Sequence, residues 1–216
     1  MNASSPLADP LLTEQWAWFD VDDVLVESTP LFQESLDRWS GLHRPWQEWT
    51  HNRFHQFYGV ADDDLDIIQE LRDLWRKERI LERSPLSPDA GPVLRELSDM
   101  GLRIGLITAR AWHPEGREIT EEMAEAHQLP VDRVIAMHYE ETKAGLLVQS
   151  GTQVASFLDD TTRHAQACHD AGFNSALFRQ PWNADAQGLR VIERLADVPR
   201  WVAESLAPRA RPRPRR

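Results

Sequence analysis

The sequence contains one cysteine, Cys168, and so cannot close a disulfide within the chain. That fits a reducing compartment, with the lone thiol read as a small buried helix residue. No run of 18 or more apolar residues occurs, which excludes a membrane-spanning helix. Residues 1–10 lack a basic stretch followed by an apolar one. No secretory signal is therefore expected, the Asn2-Ala3-Ser4 sequon carries no weight, and a cytoplasmic location is the expectation. A glycine-rich phosphate loop of the Walker type and internal repeats are also missing. His51 and His55 stand four apart, but nothing accompanies them as a third zinc ligand or catalytic glutamate. Asp62-Asp63-Asp64 opens like a calcium loop yet lacks its glycine and closing glutamate, so it reads as an N-cap for the next helix.

The 216 residues are 41% apolar and 27% charged, enough for a full α/β core and one modest insertion. The net charge of −11 disfavours a nucleic-acid-binding surface. Against that trend, Arg209, Arg211, Arg213, Arg215 and Arg216 crowd the last eight residues. This Arg/Pro tail reads as a solvated disordered end, with a weak tether to nucleic acid or an acidic partner as the other reading.

Residues 16–19 are apolar and aromatic and stop at Asp20, as a buried parallel strand does. Residues 28–83 carry helical patterns (Leu31, Phe32, Leu36, Trp39; then Leu65, Ile68, Leu71, Leu74, Trp75) and no convincing strand. Trp46, Trp49, Phe54, Phe57 and Tyr58 lie between those patterns and read chiefly as core, with one or two free to stack on a base. Ser87 and Pro88 suit an N-cap and first turn. Helix and strand then alternate: a helix through Val93 to Met100, stopped by Gly101; strand 103–107; a helix through Ile119 to Ala126; strand 134–137; helix 142–149; strand 154–158; helix 163–171, closed by Gly172; and strand 175–178. Leu189, Ile192 and Leu195 predict a last amphipathic helix running past Trp201. The fold class predicted is α/β, a three-layer Rossmann-like parallel sheet with an inserted small helical cap. Its divisions are a core over 14–27 and 84–205, a cap over 28–83, and a tail over 206–216.

In such a sheet, ligands sit outside the carboxyl ends of the strands. Asp20 and Asp22 follow the first strand, Thr108 and Arg110 follow Gly105-Leu106-Ile107, Asp159 and Asp160 follow Ser156-Phe157-Leu158, and Lys143 opens a helix. The residue types suit phosphoryl transfer. A carboxylate can attack in line and form an aspartyl-phosphate, and a second can protonate the leaving oxygen and later activate water. Clustered carboxylates need a cation, and Mg²⁺ prefers such hard oxygen ligands. A lysine and a hydroxyl can hold the remaining phosphoryl oxygens. Each piece has a bland counterpart. Asp20/Asp22 could be a solvated turn, Asp159/Asp160 a helix cap, Lys143 a surface lysine, and Arg110 the partner of a glutamate rather than of phosphate.

Taken together, Asp20-Val21-Asp22-Asp23-Val24-Leu25, Leu106-Ile107-Thr108-Ala109-Arg110, Lys143 and Asp159-Asp160 resemble the four motifs of the haloacid-dehalogenase (HAD) superfamily of phosphohydrolases. The resemblance covers residues 16–183. It implies Asp20 as nucleophile and Asp22 as general acid/base. It implies Thr108, Ala109, Arg110 and Lys143 around the phosphate, and Mg²⁺ held by Asp20, Asp159, Asp160 and the Asp22 backbone carbonyl. The cap, Thr-Ala-Arg, His127-Gln128-Leu129-Pro130 and Pro181-Trp182-Asn183 are similar to the layout of the 5′(3′)-deoxyribonucleotidase branch. One residue departs from the pattern: Asp23 stands where the family usually has glycine, which adds negative charge beside the nucleophile.

These readings lead to an expected Mg²⁺-dependent phosphomonoesterase acting on a nucleotide or similar small phosphate. The alternatives are a nucleic-acid end (3′-)phosphatase guided by the arginine tail, and a non-catalytic nucleotide-binding protein. No membrane partner is expected, and the sequence leaves oligomeric state open.

Overall fold

The computed structural model describes residues 14–138 and 141–207. The arginine tail, from Arg209 onward, and the Asn2 sequon lie outside the described residues. In chain order the regular elements are β1 (Gln15–Phe19), α1 (Thr29–Ser40), α2 (Leu65–Lys77), α3 (Ile80–Arg83), α4 (Ala90–Asp99), β2 (Arg103–Thr108), α5 (Gly116–Ala126), β3 (Arg133–Ala136), α6 (Lys143–Gln149), β4 (Gln153–Asp159), α7 (Thr162–Asp170), β5 (Ser175–Phe178), β6 (Arg190–Ile192) and α8 (Val198–Leu206).

The six strands form one sheet in the order β3-β2-β1-β4-β5-β6, and every pairing is parallel. β1 is central because its side chains are apolar on both faces. Ala17 and Phe19 enter a core shared with Val93, Leu94 and Leu97 of α4 and Val198, Trp201 and Val202 of α8. Trp18 faces the other way, toward Ile107, Phe157, Leu147 of α6 and Cys168 of α7. Helices thus cover both faces, and the expected three-layer Rossmann-like arrangement is present. Gly105 is a condition of that packing. It pairs with Trp18 across β1–β2, and a Cβ there would lie 2.3 Å from the indole ring.

Between β1 and α4 the described chain contains helices and short 3-10 turns and no strand of the sheet. Its entry and exit lie side by side, since Val26 bridges Leu86, Glu27 N–H donates to the Pro85 carbonyl (2.9 Å) and Ser87 N–H to the Leu25 carbonyl (2.8 Å). Two apolar clusters hold the segment together. One joins Leu36, Trp49, Tyr58 and Leu71; the other joins Phe32, Ile80 and Leu81 to Ile119 of α5.

Several local expectations shift. The last amphipathic helix begins only at Val198, and 190–192 is instead the sixth strand. Gly188 (φ 84°) breaks the chain, β-branched Val191 and Ile192 pair with β5, and Pro199 opens α8. The spacing of Leu189, Ile192 and Leu195 imitated a helix over what is the strand and the 3-10 turn after it. α4 starts at Ala90 with Asp89 in the N-cap position, because Ser87 is engaged in the β-like pairing with Leu25. Asp64 does occupy the N-cap position of α2, but its carboxylate accepts from Ala61 N–H rather than from the helix.

Candidate active site

Strand order dictates where the site lies. β1 connects outward through β2 to β3 on one side, and the chain then returns to β4 on the other, so the β1/β4 boundary is the switch point where an open α/β sheet leaves a crevice. Asp20 follows β1 there, with its N–H donating to the Leu158 carbonyl (2.9 Å), and Asp159 ends the adjacent β4. Thr108 ends β2 on the other side of β1.

Lys143 ties the two carboxylates together. Its Nζ lies 2.8 Å from Asp20 Oδ1 and 2.7 Å from Asp159 Oδ2, and its side chain is only 1% exposed. Thr142 makes this possible by capping α6: its hydroxyl accepts from Gly145 N–H, which starts the helix with Lys143 pointing into the crevice. It is also one of two lysines in the whole chain, the other being Lys77. The surface-lysine alternative is therefore excluded. Burial opposes the ammonium charge, but Asp159 and Asp20 outweigh it and hold Lys143 above its ordinary pKa.

Asp20, Asp159 and Asp160 each bring a carboxylate oxygen within 4.8 Å of the others, and all three are buried. Asp20 accepts at Oδ1 from Val21 N–H and Lys143, which leaves Oδ2 as the oxygen open to bond formation. Burial raises its pKa to about 6 despite Lys143, helped by Asp159 and Asp22. Asp160 is pushed well above its ordinary value by burial and by Asp159 and Asp20. Ionised together, the three carboxylates would outnumber the one ammonium by two charges, a surplus that a divalent cation would balance. Thr161, rather than either aspartate, takes the N-cap position of α7, and its N–H donates to Asp159 Oδ1 (2.8 Å).

Asp22 belongs to a different pair. Arg110, 1% exposed, grips it with two bonds of 2.8 Å, from Nε to Oδ2 and from Nη2 to Oδ1. Arg110 thus pairs with an aspartate, not with the glutamate considered from sequence. Burial works against the charge on Asp22, but Arg110 prevails and holds its pKa below the ordinary carboxylate value. Arg110 is itself braced: Nη1 donates to the Thr120 hydroxyl (3.2 Å), which donates to the Gly116 carbonyl (2.7 Å). Gly116 lies so close under this turn that a Cβ would be 2.2 Å from the Arg110 carbonyl oxygen. Ala109 sits exposed at the start of the turn, between buried Thr108 and Arg110. The Thr108 hydroxyl is buried with no hydrogen-bond partner among the described residues, an omission that an oxygen-rich ligand would repair.

Asp23 takes a left-handed backbone, φ 56°, a conformation that explains why glycine suits the position. Its carboxylate accepts from Thr29 N–H (2.9 Å), the Thr29 hydroxyl (2.5 Å) and the Ser28 hydroxyl (3.2 Å). Its oxygens are therefore committed to the start of α1 rather than to the crevice. Burial, only partly offset by the Thr29 bonds, raises its pKa to about 7.

Of the aromatics in the helical insertion, Trp49 and Tyr58 are buried, Trp39, Trp46, Phe54 and Phe57 pack half-buried against them, and Trp49 stacks on Phe57. His51 stacks on Phe57, and His55 meets Asp62, which also pairs with Arg53. Among the described residues, the only cluster fit to hold a metal is the one at Asp20, Asp159 and Asp160. Sequence reasoning gave no role to Thr120, Thr161 or Gln180, because hydroxyls and amides that act through hydrogen bonds leave no periodic signal.

No protein-family model and no curated protein matches the sequence. Solved structures do match in fold. A predicted phosphatase from Clostridium acetobutylicum aligns over 89% of this chain and 99% of its own, with a TM-score of 0.65 at 13% identity. A haloacid dehalogenase-like hydrolase from Streptococcus pneumoniae covers 86% and 96%, with a TM-score of 0.61 at 16% identity. A dehalogenase covers 89% and 97%, with a TM-score of 0.55, also at 16% identity. The chain has the HAD-like fold, with a buried acidic cluster at the ends of its central strands.

Proposed function

We propose that the chain is a magnesium-dependent phosphomonoesterase that acts on a nucleotide or similar small phosphate through an aspartyl-phosphate on Asp20. The observation that carries this reading is the buried Asp20–Lys143–Asp159 bridge with Asp160 beside it, at the switch point of the sheet. Neighbouring structures include both phosphatases and a dehalogenase, so fold alone does not choose between them. The donor set does. A carbon–halogen bond has no use for a second acid–base carboxylate or a cation-binding cluster.

Asp20, Asp159, Asp160 and the Asp22 carbonyl would hold Mg²⁺, which supplies charge neutralisation for the phosphoryl oxygens. The chain's own groups divide the remaining work. Asp20 Oδ2 attacks phosphorus in line, and the bond to the leaving alkoxide breaks as that alkoxide takes a proton from Asp22. Thr108 donates its unpartnered hydroxyl to a phosphoryl oxygen, and Lys143 offsets the charge spreading over the others. Water then attacks the acyl phosphate, Asp22 takes its proton, and Asp20 and inorganic phosphate are released. Because Arg110 holds Asp22 ionised, Asp22 can give a proton only after this grip loosens and the carboxylate has taken a proton from solvent. Substrate entry over the Ala109–Arg110 turn is the natural occasion. The helical segment 28–83 acts as a cap that limits the site to small substrates, with 14–27 and 84–205 as the core.

The test is phosphate release from a panel of nucleoside monophosphates and sugar phosphates with magnesium present, alongside chloride release from a chlorinated acid. Turnover on a phosphate that disappears in Asp20→Asn is expected. Chloride release, or phosphate release that survives Asp20→Asn, contradicts the reading.

A further inference from the structure

Asp160 is gripped from one direction by two consecutive residues. The Trp182 indole N–H donates to Asp160 Oδ2 at 2.9 Å, and Asn183 Nδ2 donates to its backbone carbonyl at 2.7 Å. The other carboxylate oxygen, Oδ1, meets the Thr161 hydroxyl at 3.5 Å. The short turn carrying Trp182 is tied down by side-chain hydrogen bonds. Gln180 N–H donates to Asn183 Oδ1 (3.0 Å), Asn183 Nδ2 also reaches the Phe178 carbonyl (2.7 Å), and Gln180 Nε2 donates to the Asp23 carbonyl (2.6 Å).

The same indole also meets the helical insertion. Trp46 and Phe54 each cross it near 6.4 Å, at 63° and 62°, in edge-to-face contact. A second thread runs alongside, from Asn52 Nδ2 to the Thr161 hydroxyl (3.0 Å). Trp182 therefore touches a carboxylate of the acidic cluster and the aromatic rings of the insertion at once. A close-packed buried ring passes a shift of one neighbour on to the others.

We infer that Trp182 is a positioning residue that orients Asp160 for the cation and makes that orientation depend on how the insertion is seated. This rests on the reading that the cluster binds Mg²⁺, and it is tested without substrate. Magnesium binding is measured by isothermal titration calorimetry on the full chain, for wild type, Trp182→Phe and a Trp46→Ala/Phe54→Ala double variant, with folding checked by circular dichroism. Trp182→Phe keeps a ring in the aromatic cluster and removes only the N–H. Loss of a group that orients a metal ligand typically weakens binding by roughly 10- to 100-fold, and a loss in that range is expected here. The double variant keeps the N–H but removes the insertion's two aromatic contacts with the ring, and a smaller loss is expected. In phosphatase assays Trp182→Phe should raise the magnesium needed for half-maximal rate and leave kcat at saturating magnesium largely intact.

Wild-type affinity in Trp182→Phe overturns the inference, and wild-type affinity in the double variant overturns the dependence on the insertion. If Trp182→Phe does not fold, the double variant decides alone. Absence of magnesium binding in wild type itself overturns the function reading as well, a result distinct from the others.

Discussion

Asp23 shows how one side chain can be costly and still well placed. Its carboxylate accepts three hydrogen bonds at the start of α1, yet burial raises its pKa to about 7. Between the unfolded value near 4 and the folded value, the native state keeps a proton that the unfolded chain has lost. Stability contributed by this group is complete below that window and is lost as the pH rises through it. Asn offers the same acceptor to Thr29 N–H without a charge, and it tolerates the left-handed backbone. Asp23→Asn should therefore melt close to wild type at pH 4.5 and above it at pH 8, both in the presence of chelator. A gain of about 1 kcal/mol corresponds to roughly 2–4 °C in a chain of this size. A wild type that melts above the variant at pH 8 contradicts the account.

At the scale of elements, the turn from β2 to α5 sets the orientation of Asp22. Arg110 holds Asp22, Thr120 holds Arg110, and Gly116 lies against the Arg110 carbonyl. Gly116→Ala places a methyl where backbone already sits, so the turn has to move. A loss of about 1–3 kcal/mol in denaturant unfolding is expected, with a larger proportional fall in phosphatase rate than in stability. A rate that follows only the folded fraction would contradict this. The turn also shows what a sequence reveals. Strands ending in Asp20, Thr108 and Asp159 were legible because apolar runs that stop at a polar residue mark strand ends directly. The brace through Thr120 was not, since it joins residues ten apart by a geometry no period encodes. β6 was masked by the helix-like spacing of Leu189, Ile192 and Leu195, which runs through the strand into the turn after it. The partner of Arg110 could not be read either, because Asp22 is 88 residues away and several acids were equally available in sequence. Lys143 carried a signal that composition held all along: the chain has two lysines, and one of them is buried between carboxylates.

For the whole molecule, the acidic cluster is a local instability that the fold carries for its chemistry. The chain already bears −11, and at the β1/β4 boundary it buries Asp20, Asp159 and Asp160 against the single ammonium of Lys143. Without a cation, burial and mutual repulsion push Asp160 well above its ordinary pKa, so keeping it ionised at neutral pH opposes folding. Removing that charge should stabilise the metal-free protein. Asp160→Asn is thus expected to melt above wild type in chelator at pH 7.5, with its carbonyl still able to accept from Trp182. Magnesium reverses the order. A ligand that binds only the folded state at 100 times its dissociation constant adds about 2.7 kcal/mol, so wild type should gain several degrees while Asp160→Asn gains far less. Thermal melts of the two proteins, with chelator and with magnesium, make the comparison. Equal magnesium shifts in both would show that Asp160 takes no part in cation binding. A metal-free variant less stable than wild type would show that the cluster is not the strained site its charges describe.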